Sequence, residues 1–239
     1  MFCGAGGAAM GYARAGFDVV GVDIAPQPHY PFEFWQGNVL GLSFREQIDI
    51  ESFDAIHASP PCQAFSPLRN MWNKREHLDL IAPARELLMA SGLPYVIENV
   101  PHAPLLAPFT LCGSMFRLGT ADGRAELRRH RLFESNVINP LMVPPCQHNW
   151  SAQTIAVYGH AGGYSRRTRE RQAAVIGVYG GHGRDRRRRP APQQFATAAR
   201  REAMGIDWMT GAELSQAIPS AYTEWIGSRL LAALREPAA

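Results

Sequence analysis

Short apolar runs alternate with helical stretches through the first hundred residues of this 239-residue chain. Three runs are short enough for strands and rich in β-branched and aromatic residues: FDVVGVDI (17–24), FDAIHAS (53–59) and LPYVIENV (93–100). Before the third run, apolar residues recur with helical spacing at Leu78, Ile81, Leu87 and Leu88 until Gly92 ends the pattern. This alternation predicts an α/β fold in which helices cover a parallel sheet.

The composition favours a soluble, cytoplasmic protein. No run approaches the roughly 18 apolar residues that a membrane-spanning helix needs, and the first residues lack the charged and apolar segments of a signal peptide. The four cysteines have no paired spacing, so they do not predict a disulfide framework. We therefore expect reduced thiols and no membrane partner.

The character of the sequence changes at about residue 140. From there to about 195, Pro, Gly, Arg and Gln dominate, and helical signals return near Ala196. Residues 151–201 carry eleven arginines against Glu170 and Asp185, a net charge of +9 that leaves −6 for the rest of a chain whose total is +3. We interpret residues 1–139 as the core, 140–195 as a small basic insertion and 196–239 as a segment that returns to the core.

The basic insertion favours contacts with nucleic-acid phosphates. Some of its arginines are also available for guanine edges. The alternative for the four arginines at 186–189 is a solvated basic loop.

The hexapeptide FCGAGG (2–7) precedes a predicted helix, AAMGYARAG, and is followed by a predicted strand that ends in Asp23. Glycines at a strand-to-helix turn let a ligand approach the backbone, and an acid at the end of the next strand can bind ribose hydroxyls. The pattern predicts a nucleotide-like cofactor. A tight turn that binds no ligand is the alternative.

Cys62 lies in the segment SPPCQAFS, directly after a predicted strand. The two prolines restrict the backbone before Cys62 and remove two hydrogen-bond donors, so the thiol should sit on a rigid loop. Ligands of open α/β sheets bind in the crevice at the carboxyl ends of the strands, which is where this loop should lie. The alternative is a buried, inert cysteine.

Glu98 lies at the carboxyl end of LPYVIENV and should face the same sheet edge as Cys62. A carboxylate there is costly unless it is solvated, paired or protonated, so we expect a raised pKa and a proton-donating role. The alternative is a carboxylate that caps the loop together with Asn99.

The segment RRHRLF (128–133) places Arg129, Arg131 and Phe133 on one face of a predicted strand. This arrangement would present guanidinium groups to the crevice. An arginine strip on the protein surface is the alternative.

Cys146 and His148, with His160 and His182, are the residues most suggestive of a zinc site. Neither their spacing nor their number matches a standard zinc site, so we expect no bound metal.

Taken in order, these motifs resemble the cytosine-C5 DNA methyltransferase family, especially its compact phage and orphan members. The motifs are F-C-G-A-G-G, V-G-V-D, P-P-C-Q-x-F-S, E-N-V and R-x-R-x-F. The resemblance covers about residues 1–133 and resumes at about 196–239. It implies a Rossmann-like S-adenosylmethionine-dependent methyltransferase fold, with a small target-recognition region inserted at 140–195.

The resemblance also implies a role for each motif. Cys62 is the nucleophile that adds to C6 of a flipped cytosine, Glu98 protonates or hydrogen-bonds N3, and Arg131 with Arg129 holds the O2 edge. The implied cofactor is S-adenosylmethionine, bound by residues of several motifs: Phe2, Gly4, Gly6, Gly7, Asp23, Asn38, Pro61 and Gln216.

The chain departs from the family pattern at three places. Only Met1 precedes Phe2, where the family has an apolar strand, so either the natural chain begins earlier or the first strand is truncated. Asn38 stands where an acidic residue is usual, and Ser215 with Gln216 stands where Gly-Asn is usual.

The expected function is transfer of a methyl group from S-adenosylmethionine to C5 of cytosine in double-stranded DNA. We expect a monomer in a bacterial or phage-infected cell, with no evident restriction endonuclease partner. Three alternatives remain: a catalytically impaired DNA-binding relative, an RNA cytosine-C5 methyltransferase, and another α/β transferase acting on a free nucleotide.

Overall fold

The computed structural model describes residues 1–65, 78–121, 123, 125–148, 153–155 and 197–235. Its first part alternates helices and strands: α1 (Gly7–Ala15), β1 (Val20–Asp23), β2 (Glu33–Gln36), α2 (Leu42–Arg45), β3 (Ile56–Ala58), α3 (Ile81–Ser91) and β4 (Tyr95–Asn99). The remaining elements are β5 (Phe109–Leu111), β6 (Ala125–Leu127), β7 (Arg131–Ser135), β8 (Gln153–Ile155), α4 (Thr197–Met204), α5 (Gly211–Gln216) and α6 (Ser220–Arg235).

The predicted β-α-β unit is confirmed, because β3 and β4 pair in parallel and helix α3 connects them in sequence. Ile81 and Leu88 on α3 are fully buried, and Gly92 ends the helix in the left-handed conformation. The placement of Leu78 on the helical face was wrong. Leu78 precedes the helix and is 77% exposed, while the Asp79 carboxylate accepts a hydrogen bond from the Ile81 amide at 2.8 Å and so marks the helix start.

The main sheet is mixed, in the order β3-β4-β7-β5. Strands β3 and β4 are parallel, as β1 and β2 are, but β7 runs antiparallel to both β4 and β5. The prediction of a parallel sheet therefore holds only for these two strand pairs. Among the described residues, no α-helix lies between β4 and β7, so the crossover helix that usually joins parallel neighbours is lacking there.

Helix α6 packs closely against α1. This packing brings residues 197–235 next to the glycine-rich turn formed by residues 2–7. A Cβ atom on Gly11 would lie 2.1 Å from the Ser220 carbonyl oxygen, so only glycine permits this approach. The Thr223 hydroxyl donates a hydrogen bond to the Ala8 carbonyl at 2.8 Å. The last helix therefore helps to fix the start of α1.

Residues 1–3 lie between β1 and β3 and provide the backbone connection between their two sheets. The Cys3 amide donates to the Val22 carbonyl at 3.1 Å, and the Ser59 amide donates to the Met1 carbonyl at 3.2 Å. Within the described residues, no regular strand lies between β1 and β3. Tyr12 and Ala55, beside residues 1–3, line the far end of a cavity that also reaches the carboxyl ends of β1 and β3.

Only residues 140–148 and 153–155 of the predicted insertion are among those described. A 3₁₀ turn at Pro140–Met142 starts this stretch, and β8 pairs in parallel with β6. The arginines at 186–189, like His160 and His182, lie outside the described residues. Among the helices that the structure describes, none has the length and apolar character required to cross a membrane.

Candidate active site

A cavity of about 970 Å³ opens along the carboxyl ends of β1, β3 and β4 and extends past residues 1–3 to Val20 and Leu230. It lies where the sequence placed the ligand crevice. Ten of the residues singled out from the sequence line it: Phe2, Gly4, Gly7, Asp23, Asn38, Pro61, Cys62, Glu98, Arg131 and Gln216. Two others, Gly6 and Arg129, are not part of its lining.

The glycine-rich turn shows why two of its glycines differ. Gly4 has a φ of 49° and Gly6 a φ of 87°, both in the left-handed region. A Cβ atom on Gly4 would meet no atom within 4 Å, whereas one on Gly6 would lie 2.8 Å from the Pro31 ring. Gly4 therefore leaves open space beside the cavity, and Gly6 allows the turn to pack against the loop at Pro31.

Asp23 ends β1 and fixes the glycine-rich turn. Its carboxylate accepts hydrogen bonds from the Gly4 and Ala25 amides, each at 3.0 Å. Each carboxylate oxygen has a second lone pair, so Asp23 retains capacity to accept from a ribose hydroxyl. Ile24 beside it is 66% exposed and lines the cavity with apolar surface, which the sequence analysis did not anticipate.

Asn38 and Gln216 lie at the exposed rim of the cavity. The Asn38 side-chain oxygen accepts from the Leu40 amide at 3.1 Å and so helps to form the turn after β2. Gln216 is the last residue of α5, whose start is fixed by a capping box between Thr210 and Glu213. A local turn therefore positions Asn38, and helix α5 places Gln216.

The loop that carries Cys62 is held from two sides. The Asn99 side-chain amide donates to the Pro60 carbonyl at 3.0 Å in a buried contact, and the Phe65 amide donates to the Cys62 carbonyl at 3.0 Å. The end of β4 therefore clamps the proline loop at the end of β3. The sequence suggested Asn99 only as a loop-capping partner of Glu98. Its role in positioning the Cys62 loop depends on a contact between two strand ends and was not predicted.

The Cys62 thiol is half-buried and faces the cavity. Burial raises the pKa of this thiol, and nearby Glu98 raises it further, whereas the cation of Arg131 opposes the shift. The thiol is therefore protonated at neutral pH and must lose its proton to act as a nucleophile.

Glu98 and Arg131 form a buried ion pair at the cavity wall. The Arg131 Nε atom lies 2.9 Å from Glu98 Oε1, and both side chains are less than a tenth exposed. Burial raises the pKa of Glu98, although Arg131, Arg129 and a hydrogen bond from Ser59 each act to lower it. A carboxyl group in this environment binds a proton more readily than an exposed one.

Arg129 lies behind the cavity, under helix α5. Its side chain is fully buried and donates to the Ser215 carbonyl at 2.9 Å, while its own carbonyl accepts from the Tyr222 hydroxyl at 2.7 Å. The alternative of a surface arginine strip is wrong, because Arg131 is buried as well. Of the two arginines, only Arg131 reaches the cavity lining.

Residues 1–102 match the family model described as C-5 cytosine-specific DNA methylase. This range carries a cytosine-C5 methylase domain. The recognition made from the motifs is thus confirmed. Cytosine-C5 methyltransferases use S-adenosylmethionine as the methyl donor, in agreement with the cofactor expected from the sequence.

Two methyltransferase structures are among the solved structures that resemble the chain. EhMeth, a methyltransferase of Entamoeba histolytica, shares 14% identity with a TM-score of 0.54, over 98% of this chain and 97% of its own. This likeness confirms the α/β methyltransferase fold. A mutant of DNMT2 from Spodoptera frugiperda shares 18% identity with a TM-score of 0.39, over 64% of this chain and 53% of its own, so the chain spans about half the length of DNMT2. None of the curated proteins compared with the chain matches it.

Proposed function

We propose that the chain transfers a methyl group from S-adenosylmethionine to C5 of cytosine in DNA, through a covalent bond between Cys62 and C6 of the base. One observation carries this proposal. Cys62, Glu98 and Arg131 line the same cavity as the glycine-rich turn at Gly4. A nucleophile, a proton donor and a cofactor site can therefore meet around one bound base.

The cavity has the features that S-adenosylmethionine requires. Its volume of about 970 Å³ lies near the upper end of the range of roughly 300–1,000 Å³ typical of ligand sites. Gly4 offers open space, Asp23 offers a carboxylate for ribose hydroxyls, and Ile24 offers apolar surface. When bound, the cofactor supplies an electrophilic methyl group.

Cytosine C5 is a poor nucleophile until a group adds at C6, and Cys62 is placed to supply that group. As the thiolate forms its bond to C6, the electron pair of the C5–C6 double bond becomes available at C5, and Glu98 gives its proton to N3. The raised pKa of Glu98 suits this donation. Arg131, at 2.9 Å, stabilises the carboxylate that remains.

The ring is restored by reversal of the addition. After C5 has taken the methyl group, loss of the C5 proton regenerates the C5–C6 double bond and expels the Cys62 thiolate. The C5 proton is released to solvent and the proton on N3 returns to Glu98. The Cys62 thiolate regains from solvent the proton that it gave up before the addition, so both enzyme groups end in their starting states.

The target base must leave the DNA helix, because Cys62 is half-buried in the cavity. Unstacking and unpairing a base costs a few kcal/mol, which contacts with the protein must offset. The net charge of +9 on residues 151–201 is suited to those contacts, since guanidinium groups bind backbone phosphates.

Transfer of a radiolabelled methyl group from S-adenosylmethionine to duplex DNA, to RNA and to dCMP tests this proposal. We expect label in DNA, held at C5 of cytosine. Label mainly in RNA would make the chain an RNA methyltransferase, and label in dCMP a nucleotide methyltransferase. Tight DNA and cofactor binding without transfer would identify a catalytically impaired relative.

A further inference from the structure

A second cluster of reactive side chains lies outside the cavity. Cys112 directly follows β5, His130 directly precedes β7, and Cys146 and His148 follow the 3₁₀ turn at Pro140–Met142. The two sulfur atoms and one nitrogen of each imidazole all lie within 4.8 Å of one another. Three separate segments of the chain thus bring two thiols and two imidazoles to one point.

The distances match tetrahedral coordination of one ion. Cys112 Sγ lies 3.4 Å from His148 Nε2, and His130 Nε2 lies 3.4 Å from Cys146 Sγ. Tetrahedral zinc, with bonds of about 2.3 Å to sulfur and 2.0–2.1 Å to nitrogen, separates such pairs by about 3.5 Å. Two independent thiol–imidazole hydrogen bonds would not require the two pairs to converge as well.

The surroundings also suit a metal. Cys112 is fully buried, and the other three side chains are half-buried, so the site is shielded yet close to the surface. The Ser114 hydroxyl donates to Cys112 Sγ at 3.3 Å, the kind of outer contact that orients a thiolate ligand. The His130 and His148 rings meet edge to face at 5.1 Å, which lets both nitrogens point toward the sulfur atoms.

We propose that Cys112, His130, Cys146 and His148 bind a structural Zn²⁺ ion. Two thiolates and two imidazoles form a closed tetrahedral set with no open position, and the two thiolate charges neutralise the ion. Soft sulfur ligands disfavour Mg²⁺ and Ca²⁺, which prefer oxygen. An iron–sulfur cluster with the same ligand types would hold the cysteine and histidine pairs on different iron atoms, and so farther apart.

Such an ion would fasten the segment at Cys146 and His148 to the start of β7. That segment belongs to the first part of the insertion, residues 140–148. His130 is the neighbour of Arg131, so the ion would also fix the strand that reaches the cavity. The metal site is independent of the proposed methyl transfer, and its test measures metal and not activity.

The first test uses the unaltered full-length chain, purified with a thiol reductant and then desalted. Elemental analysis should give about one zinc per chain. Replacement of zinc by Co²⁺ should give the intense visible absorption of a tetrahedral site together with a sulfur-to-cobalt charge-transfer band. Folded protein with little zinc, a cobalt spectrum without sulfur ligation, or a disulfide between Cys112 and Cys146 under these conditions would overturn the proposal.

The second test changes ligands near the surface, where the effect on folding is smallest. Cys146→Ser and His148→Ala should each weaken zinc binding by more than about 100-fold, because even changes to outer contacts cost up to that much. Cys3→Ser and His102→Asn are matched controls that remove a thiol and an imidazole outside the cluster, and both should keep full zinc. Unchanged zinc in folded Cys146→Ser and His148→Ala proteins would overturn the proposal.

Discussion

Two neighbouring residues, His130 and Arg131, belong to two different clusters. Arg131 meets Glu98 at the cavity wall, whereas the His130 ring lies 3.4 Å from the Cys146 sulfur outside the cavity. Successive residues in an extended segment point to opposite sides, so one stretch of chain serves both clusters. The start of β7 therefore contributes one residue to each cluster.

The two clusters differ in what their surroundings do to a thiol. In the cavity, burial raises the pKa of both Cys62 and Glu98, so each group binds a proton more readily than the same group would at the surface. In the second cluster, each sulfur atom lies 3.4 Å from an imidazole nitrogen, which suits a shared ion. The residues of the cavity are therefore suited to proton transfer and nucleophilic attack, whereas those of the second cluster are suited to holding an ion in a fixed geometry.

The largest effect is expected when the thiol in the cavity is removed. Cys62→Ser should lower methyl transfer by at least about 10³-fold, because a serine hydroxyl is a far weaker nucleophile and loss of a nucleophile is among the costliest single changes. Single-turnover transfer measures this decrease. The variant should also fail to form a stable adduct with DNA containing 5-fluorocytosine, where the fluorine blocks release of the enzyme.

Cys3→Ser is the matched control, because Cys3 lines the same cavity and burial raises the pKa of its thiol to about 12. This variant should still form the adduct. If Cys62→Ser forms the adduct and Cys3→Ser does not, the nucleophile has been assigned to the wrong thiol.

Glu98→Gln should lower turnover by roughly 10²–10⁴-fold, the usual effect of losing a general acid, with DNA and cofactor binding retained. The pH profile sharpens the test. Transfer needs Glu98 protonated and Cys62 ionised, so between their two pKa values the loss of one form offsets the gain of the other and kcat/KM is level. In Glu98→Gln only the gain of thiolate remains, so kcat/KM should rise about tenfold per pH unit up to the Cys62 pKa.

The control for Glu98→Gln is its zinc content, which should match that of the unaltered chain. A level pH profile in this variant would remove Glu98 from the proton transfer. Loss of zinc and of folding together would instead make the Glu98–Arg131 pair a structural contact shared by both clusters.

Much of the cavity was predictable because its signals are local. The two prolines before Cys62 and the apolar strand that carries Glu98 near its end are each recognisable from a few consecutive residues. Parallel pairing of β3 with β4 then brings both residues to the same edge of the sheet. The glycine-rich turn and Asp23 were located by the same reasoning. Asp23, Cys62 and Glu98 each lie at or just beyond the end of a strand, where the direction of the strand decides which sheet edge they reach.

The features that were missed depend on contacts between distant segments. Arg129 is buried because α5 covers it, and nothing near position 129 in sequence indicates that contact. The metal ligands are separated by 18, 16 and 2 positions and contain no pair with standard zinc spacing, so no motif announces them. Cys112 meets His148 only after β5 and β7 have paired and the chain has returned past Pro140–Met142.

A smaller effect is expected in the basic insertion, the segment that contains Cys146 and His148. Replacing the four arginines at 186–189 by glutamine should weaken DNA binding for all sequences and lower the slope of log affinity against log salt by about 0.9 for each phosphate that the protein no longer neutralises. Filter binding over a salt series measures this slope. As a control, replacing Arg229 and Arg235 of α6 removes positive charge elsewhere and should leave the slope nearly unchanged. An unchanged slope after replacement of the arginines at 186–189 would identify a loop that does not bind DNA.

The smallest expected effect concerns Tyr222, which supports the stretch of chain that the two clusters share. Its hydroxyl donates to the buried Arg129 carbonyl at 2.7 Å, so Tyr222→Phe leaves that carbonyl without this hydrogen bond. The free energy of unfolding should fall by about 1–3 kcal/mol in urea titrations. Because pairing of β7 with β4 and β5 still holds Arg131 in register, methyl transfer and zinc content should both stay near normal.

Tyr12→Phe is the matched control, since it removes a buried tyrosine hydroxyl that contacts His57 at 2.8 Å, away from β7. Both variants should lose stability to a similar degree. If Tyr222→Phe alone loses zinc and methyl transfer together, the contact with Arg129 and not the strand pairing sets the position of both clusters. If Tyr222→Phe keeps zinc, methyl transfer and stability, the Tyr222 hydroxyl does not help to hold the segment before β7. Pairing within the sheet would then account for the position of that segment.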